Sequence, residues 1–321
     1  MASPIMIGSE RSDVGLPTGI EILRAGGTAL DAVEAALRLC EDNLADHYIG
    51  TGGLPNALGE VELDASIMLG SSRAFGAVAA LKNYPNPISV ARAVMERLPQ
   101  HALLAGEGAA RFAADCGFQT ADLLTEESRR IWHESLQFGD GSLEGENTAA
   151  TEGDQAYRAA VLELVERLAP HEGPWGTINV IALDDHGEMC VGVSTSGYPW
   201  KYPGRVGDSA LPGAGNYCDI RIAGAACTGR GELSMRAVGA RTVVDLIRDG
   251  LEPSSACVEM LKDAASLPDT FRAELRVLAL TPDGRHGAAA SQAGSEYVVM
   301  TTADAEPRIL PRTIAQDPAD H

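Results

Sequence analysis

The stretch "GPWGTINVIALDDHGEMCVGVSTSGYPWKYPGRVGDS", Gly173 to Ser209, holds two apolar runs, "TINVIALD" and "MCVGVSTSG", on either side of Asp184-Asp185-His186-Gly187. Valine, isoleucine and threonine suit a pleated strand, and an Asp/Gly turn between such runs predicts an antiparallel hairpin. A small-residue pair, Gly176-Thr177, opens the hairpin, and a loop dense in Gly, Arg and Asp follows it.

Upstream, "LPTGIEILRAGGTALDAVEAALRLCEDN" predicts two helices. Ile20, Ile22 and Leu23 belong to the first, which Gly26-Gly27 closes. Thr28 is a suitable N-cap for the second, where Leu30, Val33, Ala36, Leu37 and Cys40 fall at helical spacing. "IGTGGLPNALGEVELDASIMLG" reads as a tight loop at Gly52-Gly53 and then a strand, and "ISVARAVMERL" and "GEGAARFAADCG" as further helices. From about 136 to 155 the chain turns polar, acidic and Gly-rich, the composition of a mobile surface loop or linker. A helix from Tyr157 to Leu168 follows it. Beyond the hairpin, "GELSMRAVGARTVVDLIRDG" and "PSSACVEMLKDAASL" read as helices. "LRVLALTPDGRHGAAAS" and "EYVVMTT" read as strands around an Asp-Gly turn. Helices and hairpins are segregated, so the expectation is an α+β fold with mainly antiparallel sheet.

The chain has 321 residues, 45% hydrophobic and 22% charged, with a net charge of −20. That length allows one large domain or two smaller ones. The acidic balance disfavours nucleic acid and anionic membrane as partners, because both are bound through Lys and Arg. It leaves room for an anionic small molecule held by one local arginine. The start, "MASPIMIGSERSD", shows no basic segment followed by a long apolar run, and no stretch of ~20 apolar residues occurs elsewhere. The six cysteines lack CxxC spacing and read as reduced, buried thiols, so a cytoplasmic protein is expected. His47, His101, His133, His171, His186, His286 and His321 show no metal-binding spacing, and the Gly-rich segments lack a nucleotide fingerprint. No metal or cofactor is expected.

A mid-chain threonine is a poor nucleophile, since its hydroxyl is scarcely ionised at neutral pH. Made into an N-terminus, Thr177 would carry its own base, an α-amine with a pKa near ~8. That requires cleavage after Gly176, which has no side chain and tolerates strained backbone. Taken alone, Thr177 equally reads as the start of a strand.

The surroundings extend the pattern. "VSTSG", "GRVGDS", "GAGNYCD" and "AACTGRGE", with "GGTALDAVEAAL" and "GTGGLPNALGEVELDASIM", resemble the glycosylasparaginase family of N-terminal-nucleophile amidohydrolases. Plant-type asparaginases and isoaspartyl aminopeptidases are its relatives. The resemblance runs from about Ile5 to about Met300, with several motifs in the family's order. It implies one four-layer αββα domain over 1–321, cut between Gly176 and Thr177 into chains 1–176 and 177–321, and a homodimer of the cleaved αβ units. It implies that Thr177 attacks a small-molecule amide and forms an acyl-enzyme, with Thr195 holding the nucleophile ready. Thr228 and Gly229 match an oxyanion hole, whose hydroxyl and N–H suit acyl transfer. Arg205 and Asp208 match the grip on the carboxylate and amine of an aspartyl group, with Gly231 offering a carbonyl to the same amine.

Two departures stand out. Glycosylasparaginases have His-Asp before the threonine, where this chain has Trp175-Gly176; a Gly-Thr bond is what the plant-type relatives cut. An ungapped count back from Gly26-Gly27 puts Glu10 where the family has a pocket-lining Trp. Glu10 then either faces solvent or meets an altered leaving group. The expected activity is hydrolysis of the β-amide of an asparagine derivative or β-aspartyl compound. The alternatives are an amidase with a non-glycosyl leaving group, or an uncleaved binding protein on the same fold.

Overall fold

The computed structural model describes residues 3–137, 161–166, 176–269, 271 and 273–315. The predicted hairpin is β5 (Ile178–Leu183) and β6 (Met189–Thr195), antiparallel, with Ile178 opposite Ser194 and Leu183 opposite Met189. Asp184 makes its turn by accepting the His186 and Glu188 N–H groups on one oxygen. The other oxygen accepts the Ala29 N–H at 2.9 Å. That N–H opens helix α2 (Ala29–Glu41), so one carboxylate both shapes the turn and serves an unpaired helix donor. Thr28 caps the same helix as expected, accepting the Asp31 N–H. Helix α1 (Leu16–Arg24) ends at the predicted glycines, with Gly26 in the left-handed region.

The remaining elements build two sheets. In chain order the strands are β1 (Ile5–Ser9), β2 (Leu63–Leu69), β3 (Phe75–Leu81) and β4 (Leu103–Ala105) before the hairpin. After it come β7 (Asn216–Asp219), β8 (Ala223–Gly229), β9 (Leu275–Leu280), β10 (His286–Ala290), β11 (Glu296–Thr301), β12 (Arg308–Pro311) and β13 (Thr313–Ile314). One sheet runs β12-β11-β1-β5-β6-β2-β3-β4 and the other β13-β10-β9-β8-β7. The other labelled helices are α3 (Pro87–Arg97), α4 (Gly106–Asp115), α5 (Glu126–Gln137), α6 (Gly231–Ala237), α7 (Gly239–Arg248) and α8 (Pro253–Ala265).

Strand alternation shows how these stack. Ile178, Val180 and Ala182 pack with Leu16, Ile20, Val33, Ile88 and Ala109, under helices α1 to α4. Ile181 and Leu183, pointing the other way, pack with Ala226, Leu278 and Leu280 of the second sheet. The far face of the second sheet meets α6 to α8 through Leu233, Val243, Val244, Ala256 and Met260. The order is helices, sheet, sheet, helices: the expected αββα sandwich. Both faces of each sheet are covered, which is why β5, β6 and β9 are buried along their whole length. No helix among the described residues is long and apolar enough to cross a membrane.

Several elements differ from expectation. "GELSMRAVGARTVVDLIRDG" breaks into α6 and α7 at Val238, whose φ of 48° is left-handed. Helix α5 and strands β1, β3, β4, β7, β8, β12 and β13 are additional to the elements expected. The linker expected at about 136–155 lies, past the end of α5, outside the described residues; of the helix expected from Tyr157 to Leu168, residues 161–166 are described and helical.

Candidate active site

The hairpin register brings two threonines together. With Ile178 opposite Ser194, Thr177 and Thr195 face each other at the open end of the strand pair. The Thr177 hydroxyl donates to Thr195 Oγ1 at 3.1 Å, and Thr195 Oγ1 also accepts the Gly197 N–H at 2.9 Å. With both acceptor positions filled, the Thr195 proton is left to donate, and the Gly176 carbonyl oxygen lies 2.9 Å away. A single hydroxyl therefore holds both sides of the Gly176–Thr177 peptide. Only glycine fits before Thr177, because a Cβ on Gly176 would lie 2.1 Å from Cβ of Tyr48.

The second sheet supplies the opposite wall. Thr177, Asn179 and Ile181 share one face of the chain, so Thr177 sits at the mouth of the inter-sheet layer. The Asn179 amide donates to the Cys227 carbonyl at 3.1 Å and to Thr228 Oγ1 at 2.6 Å. Receiving that bond, the Thr228 hydroxyl aims its own proton at the Thr177 carbonyl, 3.4 Å away. Ser9 donates to the same carbonyl at 3.2 Å. Gly229 beside it has φ 110°, and a Cβ there would strike the Glu274 carbonyl at 2.1 Å. Both facts demand glycine.

The loop after β6 closes the site. Arg205 lays its guanidinium 4.5 Å over the Tyr198 ring and binds Glu232 through Nε and Nη2 at 2.9 and 2.8 Å. Arg230 draws the other Glu232 oxygen at 2.7 Å. Asp208 begins a short 3-10 turn, Asp208–Ala210, and is buried. Burial pushes its carboxyl up to about 6, against the opposing pull of the Arg205 charge. Among the described residues its Oδ2 has no hydrogen-bond partner. A Cβ on Gly231 would lie 2.8 Å from Asp208 Oδ1 and 3.3 Å from Arg205 Nη2. The glycine thus leaves space where the two opposite charges converge. Gly176, Thr177, Thr195, Tyr198, Arg205, Asp208 and Gly229 line one cavity of about 10 Å³, room for scarcely one water. A roomier cavity of about 590 Å³, on the far side of Gly204, contains none of these groups.

Glu10 is the sequence candidate that stands apart, and the ungapped count that placed it in the pocket is corrected. Ser9 turns toward Thr177, so its strand neighbour points the other way. The Glu10 carboxylate instead pairs with Arg276 at 3.2 Å and with Arg312 at 3.3 Å, and accepts the Glu296 N–H at 3.0 Å. It does not line the cavity at Thr177. The neighbour that does approach Gly176 is Arg11: its Nη2 lies 2.6 Å from the position of a Gly176 Cβ, and its Nη1 pairs with Asp46 at 3.0 Å. Sequence reasoning missed Arg11, Asn179 and Tyr198. Asn179 had a usable signal, two residues past Thr177 on the same strand face. Arg11 had none, since its place depends on a left-handed backbone, φ 68°, that "SERSD" does not announce.

The comparisons with known proteins identify the family. Residues 13–309 match the family model described as Asparaginase. The chain is 37% identical over 89% of its length, and 78% of the relative's, to N(4)-(Beta-N-acetylglucosaminyl)-L-asparaginase of Elizabethkingia miricola. To the mouse protein of that name it is 35% identical, with 84% of this chain and 79% of the other covered. To the plant-type L-asparaginase of Pyrococcus furiosus it is 36% identical, with 88% and 86% covered. A match over nearly the whole chain, through the hairpin and the loop that build the site, leaves one conclusion: this chain belongs to the asparaginase family of amide hydrolases.

Proposed function

We propose that the protein cuts its own chain before Thr177 and then hydrolyses the β-amide of an asparagine derivative or β-aspartyl compound. The observation that carries this reading is the single Thr195 hydroxyl joining the Thr177 hydroxyl to the Gly176 carbonyl. In the first reaction Thr177 Oγ1 adds to the Gly176 carbonyl carbon, and the bond from that carbon to the Thr177 nitrogen breaks. An ester forms, and the proton lost by the Thr177 hydroxyl passes to the departing nitrogen, which becomes a free amine. Water then hydrolyses the ester, releasing a carboxylate at Gly176. Departure of the segment ending at Gly176 vacates one wall of a cavity now too small for a substrate.

In the second reaction the Thr177 amine takes the hydroxyl proton as the oxygen attacks the substrate's β-carbonyl. The Thr228 hydroxyl and Gly229 N–H stabilise the developing oxyanion. The leaving nitrogen departs with a proton, and water releases aspartate from the acyl-enzyme. Arg205 takes the α-carboxylate and Asp208 the α-ammonium, which supplies the partner that Asp208 Oδ2 lacks. The names of the relatives, glycosylated-asparagine hydrolases and L-asparaginases, both fit this head group.

The test is a mass spectrum of the purified protein together with hydrolysis of asparagine, glycosylasparagine and β-aspartyl dipeptides. One polypeptide ending at Gly176, a second beginning at Thr177, and aspartate release from at least one substrate are expected. An intact chain without hydrolase activity would sink the reading in favour of a binding protein.

A further inference from the structure

The loop that carries Arg205 and Asp208 has no regular structure between Ser196 and Gly207, yet it must hold two charges in register. Three side chains tie it to the start of β2 and the segment before it. Lys201, fully buried, donates to the Glu62 carbonyl at 2.9 Å and to the Ser196 carbonyl at 3.0 Å. The Glu62 carboxylate accepts the Gly204 N–H at 3.0 Å. Asp64 Oδ2 accepts the Gly207 N–H at 3.0 Å, one residue before Asp208.

Asp64 differs from the other two because of what lies around it. It stands directly opposite Thr195 in the β2–β6 ladder, so the two side chains share a face. On its other side the β2–β3 register jumps: Leu63 faces Leu81 and Ala65 faces Val78, leaving Ala79 and Ala80 against Asp64 alone. This is a β-bulge, and Ala80 within it is left-handed at φ 48°, a conformation costly for a residue with a Cβ. Asp64 Oδ1 accepts the Ala80 N–H at 2.8 Å, supplying the partner that the broken ladder withholds. The carboxylate is thus anchored on the bulge by one oxygen and holds the recognition loop with the other.

We infer that Asp64 is a positioning residue for recognition of the substrate's amino-acid head group, acting through Gly207 on Asp208 and Arg205. This rests on the reading proposed above. Without the Gly207 anchor, Asp208 and Arg205 shift relative to Thr195, which stays on its strand. The loss therefore falls on binding rather than on the nucleophile.

The experiment uses Asp64→Asn, which keeps the shape but loses one of the two acceptors, with Asp184→Asn as a control for loss of a buried carboxylate far from the site. Three quantities are read: hydrogen exchange at the Gly207 amide, the extent of cutting before Thr177, and KM and kcat on the best β-amide substrate. For Asp64→Asn we expect at least 10-fold faster exchange at Gly207, normal cutting, a KM raised at least 10-fold, and kcat within about 3-fold of wild type. The control should melt earlier with unchanged KM. The inference is overturned if Asp64→Asn leaves KM unchanged, lowers kcat instead, leaves the chain uncut, or merely repeats the control. A wild type inert on every β-amide, combined with faster Gly207 exchange in Asp64→Asn, would refute the proposed activity while leaving Asp64's hold on the loop intact.

Discussion

Replace Asp208 by asparagine. The native carboxylate is buried, has one oxygen without a partner among the described residues, and titrates at about 6 against an ordinary 3.8. Between those two values the folded protein holds a proton that the unfolded chain releases, so stability falls as pH rises across the interval and is flat above it. At 1.36 kcal/mol per pH unit the accumulated cost at pH 8 is about 3 kcal/mol. Asparagine carries no charge and avoids this cost. Asp208→Asn should therefore raise the melting temperature at pH 8 by about 6 °C, from roughly 2 °C per kcal/mol for a chain of this size. The gain should vanish below pH 4, where both versions are neutral. The same change removes the partner for the substrate's ammonium, so a more stable protein should be a worse enzyme, with KM raised 10-fold or more. In the wild type KM should climb as pH falls through about 6, and the variant should lack that limb. Thermal melts at pH 4 and pH 8, with kcat/KM profiles, read all of this. A variant that melts earlier at pH 8, or a gain independent of pH, would refute the reasoning.

Thr177→Ala should leave a single uncut chain on a denaturing gel and no amide hydrolysis. Arg205→Ala should act through KM, costing kcat/KM on the order of 2–5 kcal/mol for a desolvated charge pair, and unchanged kinetics would remove it from recognition. Glu10→Gln should cost about 3 kcal/mol in a denaturant titration, because it leaves the Arg312 charge buried with only carbonyl partners. The order of preference among amide substrates should be unaffected by that change, and an altered order would return Glu10 to the pocket.

What the sequence carried was local chemistry at fixed spacing. The Asp/Gly turn between β-branched runs told the hairpin, and Thr28 with the 3-4 spacing after it told α2. Gly176-Thr177 and "GRVGDS" carried less by themselves: alone they read equally as a strand start and an ion pair, and only their company of other motifs in order pointed to a family. The remainder was decided by partners distant in sequence. Glu10 was misassigned because an ungapped count carries no direction: Arg276 and Arg312, close to the other end of the chain, claim its carboxylate. Helix α5 hid because "EESRRIWHESLQ" offers few apolar residues to show a period. The break at Val238 hid because a β-branched residue rarely takes a left-handed turn; the one signal was Gly239, where a Cβ would press on Cys227 and Ser234 at 3.0 Å. The bulge at Ala80 left no mark at all, since it is made by a carboxylate on the neighbouring strand.

The strand order of the larger sheet has a consequence for a molecule cut before β5. Strands β11 and β12 come from after the cut, β1 from before it, β5 and β6 from after, and β2, β3 and β4 from before. The two products would be interleaved, joined by the β11–β1, β1–β5 and β6–β2 ladders. Neither could leave without stripping strands out of the middle of the sheet, so they should migrate as one particle until denatured. Once separated, they face a different problem from the intact chain. A process that was unimolecular, with every strand tethered to the next, becomes an encounter between two polypeptides, each lacking the neighbours its strands require. Recovery after denaturation should then depend on concentration and fall far below that of the uncut Thr177→Ala chain. A cut made to free a nucleophile would also make the folded state one that the chain reaches only once.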